Sequence, residues 1–462
     1  MSRADAPVVV VGGGVAGLAI GRALVRAGVD ALVLEATSHP GGLLRTERRE
    51  GYLCDWAANA FLAGEPGGAV DLCRELGVDI VEAAPEAKRR YIFRGGARRV
   101  VPTSPPALLK TDLLSWRGKL RLLAEPFQRA GQGAPADGAD ETIDAFFRRR
   151  VGPEAAEALV APFTLGVFAG ESDALSMRAA FPRFAGLEST YGGLVRGMLG
   201  ERRARKKEGR APAERPKLWA PRAGASALVD ALARELGERV RTGVKVVAID
   251  RDTGAGHVVR TLDSAGAAQP PITARAVVLA TPAAISARLC EPLDLELARL
   301  THTIPSPPVA VAFAGFPLAD LPEHARDGFG ILVARGETAR VLGIVFESVV
   351  WPGRAPAGHA LFRLIYGGGR DPDASDLFDD ELRTQAQRDL AQVLGVSAAP
   401  SFFHVVRHAA GIPQYTPGHL ARVDEAARRA AALGITLAGN AWRAVSVTEL
   451  VREAPKLAER LR

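Results

Sequence analysis

Cysteine is scarce. Only Cys54, Cys73 and Cys290 occur in 462 residues, far apart and without C-x-x-C spacing. That excludes a disulfide framework and a thiolate zinc site, and it fits a reducing compartment. Long apolar runs are missing too: the uncharged stretch 305–319 is too short for a bilayer and is broken by Pro307, Pro308 and Pro317. No basic, apolar and small-residue series precedes the first strand, so no export signal is read and a cytoplasmic chain is expected. There is no G-x-S-x-G, which removes the nucleophile-elbow hydrolases. The eight histidines (His39, His257, His302, His324, His359, His404, His408, His419) show no ligand-like spacing, so no metal is expected and each is read as structural.

What is present is apolar material for more than one core. With 47% hydrophobic residues over this length, two or three lobes are expected, because single cores stop growing at roughly 250–300 residues. The net charge of +7 admits an anionic surface or an acidic substrate, but Arg-rich composition explains it equally, and no nucleic-acid partner is expected.

Val8–Val11 is a short β-branched run suited to a parallel strand buried on both faces. Residues 15–27 read as a helix stopped by Gly28, and 31–34 as a second strand, which makes one βαβ unit. The stretch 105–218 is helical in texture. Leu108, Leu109, Leu113, Leu114, Trp116, Leu120, Leu122 and Leu123 alternate there with Lys110, Arg117, Lys119 and Arg121. A polar loop follows over 130–140, and a basic cluster (Arg202, Arg203, Arg205, Lys206, Lys207, Arg210) comes near the end. Apolar side chains flanked by Lys and Arg predict either a solvated helical subdomain or a peripheral contact with a membrane face. Strands are predicted at 244–249, 276–280, 309–313, 329–333, 342–346, 360–366 and 435–438, with a C-terminal helix after Gly439.

The chemistry begins in the first turn. Gly12, Gly13, Gly14, Val15, Ala16 and Gly17 satisfy G-x-G-x-x-G between a strand and a helix. Gly12 allows the tight turn, Gly14 lets backbone approach a pyrophosphate, and Gly17 lets helix and strand pack closely. The helix start aims free N–H groups at the phosphates. Glu35, 18 residues beyond Gly17, is placed for a ribose. Gly41-Gly42 adds a second close backbone approach that a nicotinamide dinucleotide does not need, and this favours FAD.

The return 243–250 followed by AVVLATP (276–282) resembles the way amine oxidase and glutathione reductase types complete an FAD lobe. The segments AKRRYIFRGGARRVVPTSPP (87–106), LGVFAGESDALS (165–176), GFGILV (328–333), YGGGR (366–370) and GIPQYTPGHL (411–420) narrow the likeness. Over nearly its whole length the chain resembles the oxygen-dependent protoporphyrinogen oxidases. The resemblance implies an α/β fold with a Rossmann-like FAD lobe (1–85, 215–290, 400–462), a mixed-sheet substrate lobe (86–104, 291–399) and a helical insertion (105–214). It implies cofactor contacts from Gly42, Leu43, Val246, Val445, Ser446 and Val447 besides the Gly-rich turn, and a tetrapyrrole site in which Arg99 clamps a propionate. Gly166 would turn its carbonyl to the macrocycle, Leu332 and Ile365 would sandwich it, and Asn59 would lie near. The reaction implied is hydride transfer from a porphyrinogen to flavin N5, repeated three times, with O2 reoxidising the flavin and releasing H2O2. No catalytic side chain is required, because the cofactor carries the redox work. Alternatives are coproporphyrinogen III as substrate, an amine oxidase or desaturase acting on another hydrophobic compound, and a binding paralogue without turnover.

The departures from the family cluster at one end. Ala444 stands for a glycine, and Thr448-Glu449 for an Asn-Asp pair. Trp56-Ala57-Ala58-Asn59 occupies a usual Gly-Pro turn, and 221–224 (PRAG) has one glycine fewer. A methyl at Ala444 is expected to cost about 1 kcal/mol if the backbone there needs positive φ. The adenosine end is intact.

Overall fold

Four valines in a row have no polar face to offer solvent, and Val8–Val11 is accordingly buried at the centre of a five-stranded parallel sheet. In the computed structural model, which describes residues 6–64, 66–134, 139–207, 217–252 and 256–462, this strand lies between Ala31–Leu34 and Ala276–Leu279. Val240–Arg241 and Ile435–Leu437 complete the edges. The helix Val15–Arg26 packs on one face beside the C-terminal helix Val447–Leu461 through Leu18, Val451, Ala454 and Ala458. Strand carboxyl ends, where ligands of open α/β sheets lie, all open toward the same side.

A second sheet of seven strands carries the other lobe. Its order is Phe402–His408, Val309–Pro317, His359–Gly367, Gly343–Val345, Gly330–Val333, Arg90–Arg94 and Ala97–Val100, antiparallel except where Gly330–Val333 meets Arg90–Arg94. Side chains alternate across it as strand geometry requires. Ile331, Val333, Leu364 and Tyr366 face the helix Asp379–Leu394 through Leu382, Ala386 and Leu390. Val311, Phe313 and Val406 face the opposite way, toward Leu165, Ala169, Tyr52 and Cys54.

Two lobe boundaries differ from expectation. The strand Phe402–His408, expected in the FAD lobe, is the edge of the seven-stranded sheet, because its backbone pairs with Val309–Pro317 over its whole length. The helix Leu295–His302, expected in the substrate lobe, buries Leu297 and Leu300 in the core of the parallel sheet. Both segments are short and amphipathic and lie near a lobe junction, where pattern alone does not say which core takes them.

The insertion is helical as expected, with its own core around Phe146, Phe147, Phe168 and Leu187. Inside it Arg150 and Glu125, both almost fully buried, form an ion pair, and Glu125 also accepts the N–H groups of Leu194 (2.8 Å) and Val195 (3.0 Å) that open the helix Leu194–Lys207. Of the basic cluster, Arg210 lies outside the described residues, as does part of the polar loop (135–138).

Candidate functional site

The three fingerprint glycines prove to be glycine for three different reasons. Gly12 has φ +108°, and a Cβ there would stand 2.6 Å from the Ala280 carbonyl oxygen. At Gly17 a Cβ would overlap the Gly12 carbonyl oxygen. At Gly14 a Cβ meets nothing of the protein closer than 4.0 Å, and φ is an ordinary −70°. Gly12 and Gly17 are therefore demanded by the fold, whereas Gly14 keeps clear a space that no protein atom uses. Gly14 is also the N-cap of Val15–Arg26 and offers no side-chain cap, so the helix start is left to an outside acceptor.

Glu35 follows the second strand and is 8% exposed. One carboxylate oxygen accepts the Gly13 N–H at 2.8 Å, and the other accepts the Thr37 N–H and hydroxyl, each at 2.8 Å. Glu35 thus braces the turn, with both carboxylate oxygens engaged. Residues 243 and 244 bond back to Thr37 and Glu35, which brings Val246 to the same edge at a β-bulge. The second glycine pair lies directly over the first. Gly41 bridges Gly14, its N–H donates to the Gly13 carbonyl at 2.8 Å, and a Cβ on Gly42 would touch the Gly14 Cα at 3.3 Å. Leu43, half-exposed, follows.

On the other side, Ser446 caps the C-terminal helix, accepting the Glu449 N–H, between Val445 and Val447. Thr448 donates its hydroxyl to the Leu62 carbonyl. The strain expected at Ala444 is not there: among the described residues only Glu50 and Ala169 combine a side chain with positive φ. At 221–224 the positive φ falls on Gly224, which is retained.

The substrate-side residues come together through register. Ile365 pairs with Gly343, Gly343 with Leu332, Leu332 with Ile92, and Ile92 with Arg99. Directly paired residues share a face, so Ile365, Leu332 and Arg99 lie in one transverse row on one side of the sheet. Gly166 lies against Leu332 in that row, since a Cβ on it would stand 3.2 Å from both Leu332 methyls. The quoted segments meet just beyond: Ala169 accepts the Gly369 N–H, Gln414 donates to the Phe168 carbonyl, and Arg370 pairs with Glu171.

Two residues are less free than expected. Arg99, a quarter exposed, is ion-paired with Asp112 and donates Nε to the Arg94 carbonyl, so a propionate would compete with Asp112. Asn59 gives its amide to both oxygens of buried Glu347, at 3.0 and 2.8 Å. Glu347 was not visible as a site residue in the sequence. It belongs to a buried set with Asp55, Arg354 and Arg363, none more than 6% exposed. Desolvation raises the Glu347 carboxyl and lowers the Arg363 guanidinium, each opposed by the other's charge. The histidines behave structurally: His257, His324, His408 and His419 each bond a backbone carbonyl through Nε2.

The room beside Gly14, a helix start without a side-chain cap and a rigid carboxylate fit the pyrophosphate and ribose of a dinucleotide. Two buried donors with no protein partner, Trp56 Nε1 and Arg363 Nε, lie at the turn 56–59, whose Ala57 carbonyl accepts from Arg363. Fold and site together define a two-lobed flavoprotein oxidoreductase.

The chain belongs to the flavin-containing amine oxidoreductases, whose family profile matches residues 15–453, and within them to the protoporphyrinogen oxidases. It is 32% identical to the chloroplastic protoporphyrinogen oxidase of Oryza sativa subsp. japonica over 483 residues, covering 100% of this chain and 89% of that one. It is 31% identical to the protoporphyrinogen oxidase of Bos taurus, covering 98% of each. Among solved structures, a protein from Exiguobacterium sp. 255-15 shares the fold with a TM-score of 0.81 at 23% identity over 99% of this chain and 98% of that one. FAD is its cofactor.

Proposed function

We propose that this chain oxidises protoporphyrinogen IX to protoporphyrin IX with O2 as the final acceptor, releasing H2O2. The observation that carries the reading is the single apolar row of Leu332 and Ile365 under Gly166, ending at Arg99. Four strand spacings separate Ile365 from Arg99, about 19 Å. That span suits a flat macrocycle with carboxylates at one edge better than a small amine. Bound FAD supplies the hydride acceptor. The residues of this chain do the rest: the glycine pairs and Glu35 orient the dinucleotide, the apolar row excludes water, and Arg99 sets the substrate's rotation by charge. No side chain is needed as a strong base.

The insertion is proposed to rest on a membrane face. In the helix Trp116–Leu123, Trp116, Leu120 and Leu123 follow the i, i+4, i+7 spacing and are 67%, 54% and 47% exposed. Phe127 beyond them is 83% exposed. An apolar stripe turned outward beside Arg117, Lys119 and Arg121 is the pattern of an interfacial helix. No helix of the described residues is long and apolar enough to cross a membrane.

The test is anaerobic mixing of the flavin-loaded protein with protoporphyrinogen IX, then admission of air. Bleaching of the flavin band, followed by porphyrin fluorescence and H2O2, is the expected sequence. A band that stays unbleached with this substrate but bleaches with coproporphyrinogen III or an amine would reassign the substrate.

A further inference from the structure

The turn Trp56-Ala57-Ala58-Asn59 is held from outside at four points. The Trp56 N–H donates to the Arg45 carbonyl at 2.9 Å, and the Trp56 carbonyl accepts from His408 Nε2 at 3.0 Å. The Ala57 carbonyl accepts from the Arg363 guanidinium, and Asn59 is clipped to Glu347. Arg45 covers the Trp56 indole at 4.4 Å. Arg45 ends the run that starts at Gly41-Gly42, so the turn lies beyond the phosphate cradle. Arg363, His408 and Glu347 all come from the substrate-side lobe: Arg363 is two residues before Ile365 on the same strand and so shares its face. The turn is therefore where the far end of a dinucleotide meets the substrate row.

Burying Asp55, Glu347, Arg354 and Arg363 together is costly, and apolar residues of equal volume would give a more stable core. Their opposite charges cancel, yet Arg363 Nε and Arg354 Nη1 within the set, and Trp56 Nε1 beside it, are left without an acceptor. Arg363 Nε and Trp56 Nε1 have no acceptor, although the Arg363 side chain is more than nine-tenths buried. Unpaired buried donors at one turn call for an acceptor brought by a ligand.

We propose that Arg363 Nε and Trp56 Nε1 bind the oxygen- and nitrogen-bearing edge of the flavin ring, with Glu347 and Asn59 as positioning residues that keep the guanidinium and the turn in place. This rests on the seating of FAD given above. A guanidinium at that edge favours the reduced, more negative flavin over the oxidised one.

The experiment uses full-length, FAD-loaded protein. Arg363→Met combined with Glu347→Gln keeps the buried set neutral. This double variant is expected to retain FAD, to shift the visible flavin bands, and to lose about tenfold in preference for the reduced flavin, a fall in midpoint potential of about 30 mV. Arg363→Lys, which keeps the charge, is expected to restore most of that potential. Trp56→Phe, which removes only the indole N–H, is expected to move the bands by itself and covers the case in which the double variant does not fold. Flavin-loaded variants with wild-type spectrum and potential overturn the proposal, including the case where only KM rises, which would give Arg363 to the substrate. Wild-type protein that takes up no FAD would instead remove the seating on which the proposal stands.

Discussion

Gly14 and Gly12 are two residues apart and identical in chemistry, yet replacing each by alanine should fail in opposite ways. At Gly14 the added methyl has protein no closer than 4.0 Å and the backbone is extended, so the apoprotein should lose no more than about 1 kcal/mol, the cost of alanine at an N-cap. The same methyl occupies the space where a phosphate oxygen meets the first helical N–H groups. Losing two charge-assisted hydrogen bonds at about 1.5–3 kcal/mol each predicts a rise in the FAD Kd of roughly 10²–10⁴-fold. At Gly12, positive φ and a 2.6 Å approach to the Ala280 carbonyl add backbone strain to overpacking, each about 1–3 kcal/mol. Gly12→Ala should therefore lower the melting temperature of the apoprotein itself. The assay is thermal melting with and without FAD, plus flavin absorbance after desalting. A Gly14→Ala protein that keeps FAD at wild-type affinity, or that melts as early as Gly12→Ala, would refute the division between ligand glycine and fold glycine.

Further outcomes are expected elsewhere in the molecule. Arg99→Ala should raise KM for the porphyrinogen about tenfold with kcat nearly unchanged, and Asp112→Asn, which frees Arg99 from its ion pair, should lower KM; steady-state kinetics distinguish the two. His419 is fully buried, stacked on Tyr415, and burial depresses its imidazole from 6.5 to about 4. The unfolded chain then binds a proton that the folded chain refuses, so about 3 kcal/mol of stability should be lost as pH falls from 6.5 toward 4. Denaturant unfolding at pH 7 and pH 4.5 should show that His419→Gln removes much of this dependence. Trp116→Glu and Phe127→Glu should each weaken sedimentation with anionic vesicles about tenfold or more while leaving the melting temperature unchanged, since both side chains are exposed.

Local patterns carried far in this chain. A run of valines, a glycine triplet and a helix with small residues on one side specify the βαβ unit and its ligand end, because each signal acts within a few residues. Glu35 was legible for the same reason, at a fixed distance from the turn. What the sequence could not announce was Glu347 and Arg363. Nothing about a glutamate after Val345-Phe346, or an arginine between Phe362 and Leu364, marks them as buried partners of the turn at 56–59. They meet it only because two sheets fold against each other across some 290 residues of chain.

By itself the sequence determined the glycine turn between the first strand and helix, the alternation of faces along the strands and the family to which the chain belongs. Only the tertiary structure decided that Ile365, Leu332 and Arg99 share a row, that Gly14 alone among the fingerprint glycines has room for a Cβ, and which lobe takes the strand Phe402–His408. The physical reason is range: turn and strand preferences are settled by neighbours, whereas register, burial of charge and the choice between two cores are settled by contacts that exist only after the chain has closed on itself.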